Sequence, residues 1–427
     1  MIAGMFDRPR VRQALIALWF LTGCNLSVTP DPLPSQLASA TPTESAGLAE
    51  RTCGLDPFGC VEAAEGDPIL IGTALTLTGP DAARGLDSQF GAQVALNLRG
   101  AVLGHEVELV NHDDRCSADG GTAAASLLVE VDGLVAVIGT SCSPAAGPAV
   151  DILGERGVLL VSPSNTAPGL TADDGNETFY ARTAPNDLAQ ARAMADFACT
   201  EAAVATAATI GDGSAYATSL QGTFASEFAS RCGGQLTEQL DVTAEGQGLD
   251  DALERIASSS DGASPELLYY PLANELGTMI SKQARRTPGL EDTILSGIQF
   301  GEDGAAIPEL IDGVYLSAPM LTPKSDFYES AFREEYRNVS AMDGPIASFH
   351  GHAYDAVNLV LDAMADVALE EGGVLHVPRS ALLEAVLASR DYDGLTGTLT
   401  CNANGDCGNA TLTVSLVEGG SLEQVWP

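Results

Sequence analysis

The feature that most constrains the fold is a regular alternation of short apolar runs and longer amphipathic segments, which begins near residue 69. Residues 69–72 have the composition of a buried strand. After the turn at Gly79-Pro80, apolar residues recur at helical spacing at Phe90, Val94 and Leu98. Because strands joined through helices run parallel, this alternation predicts an α/β fold in which helices cover both faces of parallel sheets.

The alternation continues far enough to build two domains, since roughly 360 residues follow residue 66. Two doubly wound parallel-sheet lobes in series place a cleft at the carboxyl ends of their strands. Strands are predicted at 107–110, 134–138, 158–161, 203–210, 235–242, 267–270 and 293–296. Helices are predicted at 122–131, 146–154, 187–199, 216–230, 250–258 and 274–285.

The N-terminus has the pattern of a lipoprotein signal peptide over residues 1–23. Three arginines (Arg8, Arg10 and Arg12) precede a short apolar run at 14–21, and small residues lead to Cys24. The apolar run is far shorter than the roughly 20 residues that span a bilayer. We therefore expect cleavage before Cys24, lipid attachment at this cysteine, and a place on the bacterial cell envelope, at its periplasmic or extracellular face.

Residues 24–66 predict a flexible tether, because they are rich in Pro, Ser, Thr and Ala and contain little to bury. Without Cys24 eight cysteines remain, which form neighbouring couples along the chain: Cys53/Cys60, Cys116/Cys142, Cys199/Cys232 and Cys401/Cys407. Four disulfides in an oxidising compartment account for this even number, although eight cysteines allow on the order of a hundred pairings. A metal site is disfavoured, since no CxxC pair occurs and the histidines are scattered.

The chain is strongly acidic, with a formal net charge of −38, and lysine occurs only at Lys282 and Lys324. Binding to nucleic acid requires a basic face, so it is not expected. Hydrophobic residues make up 45% and charged residues 18% of the sequence, which favours sizeable cores beneath an acidic surface.

Several sequence blocks, in order, resemble the periplasmic leucine/isoleucine/valine-binding protein family, whose members have the type I periplasmic-binding-protein fold. The resemblance extends from residue 69 to about residue 417. It is carried by residues 107–116, 137–144, 157–168, 180–185, 351–357 and 393–397. It implies two lobes joined by three hinge crossings, and a disulfide between Cys116 and Cys142. Together with local spacing it also favours Cys53–Cys60, Cys199–Cys232 and Cys401–Cys407.

The resemblance also implies a ligand site. In the family, the first lobe holds the ligand carboxylate through positions that match Ser143, Ser164 and Thr166, and the second lobe supplies an aromatic residue that matches Tyr216. Hydroxyls and free backbone N–H groups just past a strand suit an anion, although a single Ser or Thr there is more often a helix cap. Asn165 either contacts the ligand or completes the turn.

Some positions depart from the family pattern. Gln299 stands where amino-acid binders carry an acid for the ligand ammonium, and a family tyrosine is replaced by Ala273 beside Asn274. A buried ammonium without a carboxylate is costly, so these departures put an α-amino acid ligand in doubt. Arg84 stands in a loop that often reaches the cleft, where it either pairs with a second acidic group or remains a solvated charge.

No catalytic motif is present: the sequence has no GxSxG serine, HExxH helix or GxxxxGK[ST] loop. We therefore expect no enzymatic activity and no cofactor. Residues 402–406 predict a turn between two strands, clamped by Cys401 and Cys407.

The predicted function is capture of a small polar, carboxylate- or amide-bearing, amino-acid-like metabolite by hinge closure. The expected lobes are 67–186 with 319–396, and 187–318 with 397–427, so the crossings fall near 185–187, 318–320 and 396–397. By resemblance, the partner is an ABC importer permease, and the protein is a monomer. The alternative is a sensor, in which a membrane receptor recognises the closed form without transport.

Overall fold

Two sheets organise the computed structural model, which describes residues 47–172, 178–258, 264–272, 275–299, 309–320, 325–408 and 411–427. The chain first forms α1 (Leu48–Leu55), β1 (Cys60–Ala64), β2 (Ile69–Leu75), α2 (Ala82–Arg99), β3 (Val107–Asp113), α3 (Ala118–Leu128), β4 (Leu134–Gly139), α4 (Ser143–Gly154), β5 (Leu159–Ser162) and β6 (Tyr180–Arg182). It continues with α5 (Leu188–Thr200), β7 (Thr206–Gly211), α6 (Ala215–Cys232), β8 (Gln235–Asp241), α7 (Leu249–Ala257), β9 (Leu267–Tyr269), α8 (Glu275–Ala284), β10 (Ile294–Ile298) and β11 (Val314–Met320).

The C-terminal part adds helices and short strand pairs to the first lobe and the last two strands to the sheet of the second. Its elements are α9 (Arg333–Ser340), α10 (His350–Val367), β12 (Leu369–Glu371), β13 (Val374–Pro378), α11 (Arg379–Leu387), β14 (Tyr392–Gly394), β15 (Gly397–Leu399), β16 (Thr411–Glu418) and β17 (Ser421–Trp426).

The first lobe is built on a five-stranded sheet in the order β3-β2-β4-β5-β6, and all four strand pairs are parallel. Every residue of β4 is buried, as expected for a strand covered on both faces. Apolar residues of α2, α10 and α11 form one core against this sheet, and those of α3 and α4 form a second. The predicted parallel, doubly covered sheet is confirmed for this lobe.

The second lobe has a seven-stranded sheet in the order β17-β16-β11-β10-β9-β7-β8. Helices α7 and α8 cover one face, and α5 and α6 cover the other. Its first five strands along the chain are parallel, whereas β16 and β17 are antiparallel. Gly419 and Gly420, both with positive φ, form the two-residue hairpin that reverses the chain between these strands. The predicted doubly wound parallel sheet is therefore confirmed for these five strands, and the antiparallel hairpin extends it at one edge.

The predicted tether ends earlier than residue 66, because α1 and β1 belong to the first lobe. Strand β1 pairs antiparallel with β13, and Val61 is buried in the lobe's core. The Asp56 carboxylate accepts hydrogen bonds from the backbone N–H and the hydroxyl of Ser380. A single short strand with few apolar residues is weak evidence in a sequence, so the boundary near 67 is wrong. Cys24 lies outside the described residues.

The chain crosses between the lobes after β6, after β11 and between β15 and β16. The first two crossings fall close to the predicted positions. The third does not, because residues 397–407 stay with the first lobe: β15 pairs with β14, and Cys401 and Cys407 are buried in the first core. The predicted crossing at 396–397 is therefore too early, and the chain crosses between Cys407 and Thr411.

All four predicted disulfides are present: Cys53–Cys60, Cys116–Cys142, Cys199–Cys232 and Cys401–Cys407. Cys116–Cys142 joins the loops that follow β3 and β4, next to the start of α4. In the part of the chain that the structure describes, no helix has both the length and the apolarity needed to cross a bilayer.

Candidate functional site

A cleft of about 590 Å³ lies at the carboxyl ends of the strands and is lined by both lobes. It brings together five of the predicted site residues: Arg84, Ser143, Ser164, Thr166 and Tyr216. Each follows a strand of a parallel sheet, so the common edge of the strands places them side by side. The other described side chains at the cleft are mainly apolar and include Pro144, Pro168, Leu170, Ala215, Pro319 and Phe349.

The first-lobe hydroxyls are held by a tight turn after β5. The Ser162 hydroxyl accepts hydrogen bonds from the backbone N–H groups of Ser164 (3.2 Å) and Asn165 (2.9 Å). The Ser143 hydroxyl accepts one from the backbone N–H of Ala167 at 3.3 Å, which ties this turn to the first residue of α4. Ser143 and Thr166 thereby reach the cleft in a fixed arrangement.

Two residues of this turn have other partners than the predicted ligand. The Ser164 hydroxyl donates its proton to the backbone carbonyl of Ser141 at 2.9 Å, so it offers only acceptor capacity to the cleft. Asn165 is fully buried and does not line the cleft. Its amide nitrogen donates to the Thr140 carbonyl at 2.9 Å, and its amide oxygen accepts from the Tyr180 hydroxyl. Asn165 therefore completes the turn.

A buried arginine supports the same turn from behind. Arg182 is fully buried, and its Nη1 donates to the carbonyl oxygens of Asn165 (3.1 Å) and Ala167 (2.8 Å), on either side of Thr166. Its Nε forms an ion pair with the Asp406 carboxylate at 2.6 Å. Asp406 lies inside the Cys401–Cys407 loop, which forms the predicted turn between two strands, β15 and β16. Through its ion pair with Arg182, the loop holds in place the turn after β5, residues 162–167, which we call the ligand turn.

Asp187 lines the cleft but is not among the predicted site residues. Its carboxylate accepts hydrogen bonds from the Tyr216 hydroxyl (2.8 Å) and the Gln190 amide (3.0 Å), and from the Thr166 hydroxyl. Burial raises the pKa of Asp187 to about 6, although these hydrogen bonds and the charge of Arg182 oppose the shift. A carboxylate at the first crossing thus meets a hydroxyl from each lobe.

The sequence offers one signal for Asp187, since it immediately precedes helix α5. An Asp in that place normally caps the helix. Here it is the residue before the first helical position, but its side chain makes no capping hydrogen bond. Only the packing of the two lobes reveals that the carboxylate turns toward the cleft instead.

Of the remaining predicted second-lobe residues, Gln299 lies in the part of the chain that the structure describes. Gln299 is buried and does not line the cleft, and its backbone N–H donates to the Ser317 carbonyl at 2.8 Å. Ala273 and Asn274 lie outside the described residues. The acid expected at the position of Gln299 is therefore replaced by one from a different part of the chain.

Arg84 is the cleft-lining cation, and its guanidinium lies 5.9 Å from the centre of the Phe349 ring. It forms no ion pair with any carboxylate of the described ranges. No cluster of three or more metal-binding side chains occurs in those ranges either. The cleft thus combines hydroxyls, one guanidinium and one carboxylate within an apolar wall.

Comparison with known proteins identifies the family. The family model described as periplasmic binding protein matches residues 68–420, most of the chain. The chain belongs to the periplasmic binding protein family. Proteins of this family bind solutes and are not enzymes, which confirms the prediction of a non-catalytic chain.

Individual relatives agree with this assignment. A protein of Brucella melitensis named Leu/Ile/Val-binding protein homolog 3 is 28% identical over 86% of this chain and 95% of its own length. An ABC transporter substrate-binding protein of Desulfitobacterium hafniense, solved in complex with Leu, has a TM-score of 0.66 at 21% identity and covers 84% of this chain and 100% of its own. A solute-binding protein of R. palustris in complex with benzoate has a TM-score of 0.60 at 20% identity, covering 84% and 96%. The predicted family resemblance and type I fold are confirmed.

Proposed function

We propose that this periplasmic binding protein captures an amino-acid-like metabolite by closing its lobes and delivers it to an ABC importer. The observation that carries the proposal is the meeting of Thr166 from the first lobe and Tyr216 from the second at one buried carboxylate, Asp187, in the wall of the cleft. A ligand that contacts this point touches both lobes, so its binding favours the closed state.

The carboxylate of the ligand binds at the start of α4. Ser143 is the first residue of this twelve-residue helix, and the N-terminal N–H groups of a helix attract anions. The Ser143 hydroxyl accepts from the Ala167 N–H and keeps its own proton for the ligand, whereas the Thr166 hydroxyl donates its proton to Asp187. The Ser143 hydroxyl and the helix N–H groups are neutral donors, which suit a carboxylate in a site that loses its water on closure.

The amino group of the ligand binds Asp187. An ionised carboxylate has about four acceptor sites, and Tyr216, Gln190 and Thr166 occupy three of them. The remaining capacity fits an N–H donor, and an ammonium also neutralises the charge. Gln299 had put an α-amino acid in doubt, but Asp187 supplies the acid that this ligand class requires.

Delivery to a transporter is supported by relatives. The Desulfitobacterium hafniense protein with the same fold is an ABC transporter substrate-binding protein. The signal-peptide pattern before Cys24 supports a lipid-anchored protein of the bacterial cell envelope, at its periplasmic or extracellular face.

The test is a thermal-shift screen of the unlipidated protein with amino acids, short-chain acids, amides and urea, followed by calorimetric titration of the hits. Thr166→Ala should weaken binding by roughly 10- to 100-fold, since a hydrogen bond to a charged group contributes about 1.5–3 kcal/mol. Thr122→Ala, on the exposed surface of α3, is the matched control and should leave affinity unchanged. The proposal fails if amino acids do not bind, or if Thr166→Ala binds them as the wild type does.

A further inference from the structure

Arg84 is the cleft group that the proposed function leaves without a role. An α-amino acid brings one carboxylate and one ammonium, which the Ser143 hydroxyl at the start of α4 and the Asp187 carboxylate satisfy. The Arg84 guanidinium then stays in the closing cleft without a counter-charge from the described residues. Removing an unpaired charge from water is unfavourable, so a ligand that neutralises it is preferred.

We propose that the ligand is an acidic amino acid whose side-chain carboxylate pairs with Arg84, which makes Arg84 the specificity-determining residue of the cleft. This proposal rests on the proposed function, and it names the class of amino acid that the cleft selects.

The order of the strands supports this arrangement. Strand β4 lies between β2 and β5. Arg84 follows β2, but it lies in the first turn of α2 and not in the predicted loop. Ser143 follows β4 and Thr166 follows β5. Neighbouring strands are about 4.8 Å apart. The chain therefore leaves β2 about 10 Å from where it leaves β5, on the opposite side of β4.

This order assigns each group of the ligand to a place. The ammonium lies at Asp187, whose backbone N–H donates to the Thr166 carbonyl at 3.0 Å. The α-carboxylate lies at Ser143. A side chain directed away from Asp187 then extends toward Arg84, and one or two methylene groups carry its carboxylate across roughly one strand spacing. Aspartate and glutamate have side chains of this length.

A rigid platform holds Arg84 in the cleft. Phe349, directly beneath the guanidinium, is buried at the residue before α10. The fully buried Asp87 accepts hydrogen bonds from the backbone N–H groups of Phe349 (3.1 Å) and His350 (2.9 Å). A guanidinium stacked on a ring keeps its in-plane N–H donors available, and these form a fork that matches a carboxylate.

The strongly negative net charge of the protein makes the positive charge of Arg84 in the cleft more important for binding an acidic ligand. The chain carries a formal charge of −38, which disfavours anionic ligands in general. Among the described residues that line the cleft, Arg84 is the single basic side chain. An acidic ligand therefore depends on this guanidinium, whereas a neutral amino acid does not.

The experiment compares acids with their neutral amides by calorimetric titration: L-glutamate with L-glutamine, and L-aspartate with L-asparagine, with L-leucine as an apolar probe. We expect at least one acid to bind the wild type ten times more tightly than its amide or leucine. Arg84→Gln should abolish this preference while leaving the affinity for the amide within about threefold. Arg115→Gln removes the same charge from an exposed position of the same lobe and should preserve the preference.

The other outcomes separate the two proposals. If leucine or glutamine binds the wild type as tightly as glutamate and aspartate do, the acidic-ligand proposal is overturned and the proposed function stands. If Arg84→Gln weakens acids and amides equally, Arg84 holds the α-carboxylate, and the proposal is likewise wrong. If none of the amino acids binds, both fail. Melting curves of the ligand-free variants verify that each is folded.

Discussion

Replacing Asp187 by Asn should stabilise the ligand-free protein at neutral pH and at the same time weaken ligand binding. Burial raises the pKa of this carboxyl from 3.8 to about 6. One pKa unit corresponds to about 1.4 kcal/mol, so holding the anion costs roughly 3 kcal/mol at pH 7. Asn avoids this cost but loses about one hydrogen bond, worth about 1 kcal/mol. The expected net gain is about 2 kcal/mol.

The effect of the substitution depends on pH in a direction that follows from the raised pKa. Between pH 3.8 and about 6 the folded protein binds more protons at Asp187 than the unfolded chain does. The stability contributed by this group is therefore fully present below 3.8 and is lost as pH rises through about 6. The advantage of Asn should accordingly vanish below pH 3.8, where Asp187 is neutral in both states.

Urea unfolding followed by far-UV circular dichroism measures this difference, after bound ligand has been removed by refolding with the disulfides intact. Asp87→Asn is the control. Burial raises the pKa of Asp87, which is also fully buried, but the interactions with His350 and the hydrogen bonds of Tyr336 and the backbone together lower it, so the loss of Asp87 should destabilise the protein at pH 7. For the Asp187→Asn variant, calorimetry should show at least a tenfold loss of amino-acid affinity. A destabilised variant at pH 7, or one with unchanged affinity, would refute the reasoning.

Two further substitutions test the contacts around the ligand turn. Tyr216→Phe removes the hydroxyl that donates to Asp187, so calorimetry should show roughly tenfold weaker binding with little change in melting temperature; unchanged affinity would contradict the role of Tyr216. Asp406→Ala leaves the fully buried Arg182 without its acid and should cost about 3–5 kcal/mol in urea unfolding. Asp196→Ala, which breaks an exposed pair with Arg231, should cost at most about 1 kcal/mol, and equal losses would argue against a special role for the buried pair.

The sheets could be predicted because each strand carries its own signal. The apolar run predicted at 134–138 forms β4, which is buried throughout, and the helix predicted at 216–230 lies within α6. The antiparallel edge could not be predicted in the same way. Strands β16 and β17 form a hairpin, and β16 joins the sheet by pairing antiparallel with β11. This pairing is a contact between distant segments, which the local sequence does not encode.

In the candidate site, too, residues placed by the end of a strand could be predicted, whereas residues placed by tertiary contacts could not. Ser143 and Thr166 follow strands, and that position alone brings them to the cleft. The role of Asp187 depends on where Tyr216 and Gln190 come to lie, which no local pattern encodes. For Asn165 the local sequence allows a ligand contact, because it lies between Ser164 and Thr166. Its amide instead forms hydrogen bonds with Thr140 and Tyr180.

The position of Asp406 also has a consequence for how the chain acquires its structure. It stands 224 residues after Arg182, and the five parallel strands of the second lobe lie between them. Contacts so distant in sequence form slowly, because a long loop must close before they are made. During synthesis and export the five parallel strands of the second lobe emerge before residue 406 is available, and only β16 and β17 follow it. The N-terminal half of the first lobe can complete its contacts only after residue 406 has been synthesised. The ligand turn is therefore among the last regions to reach its native structure.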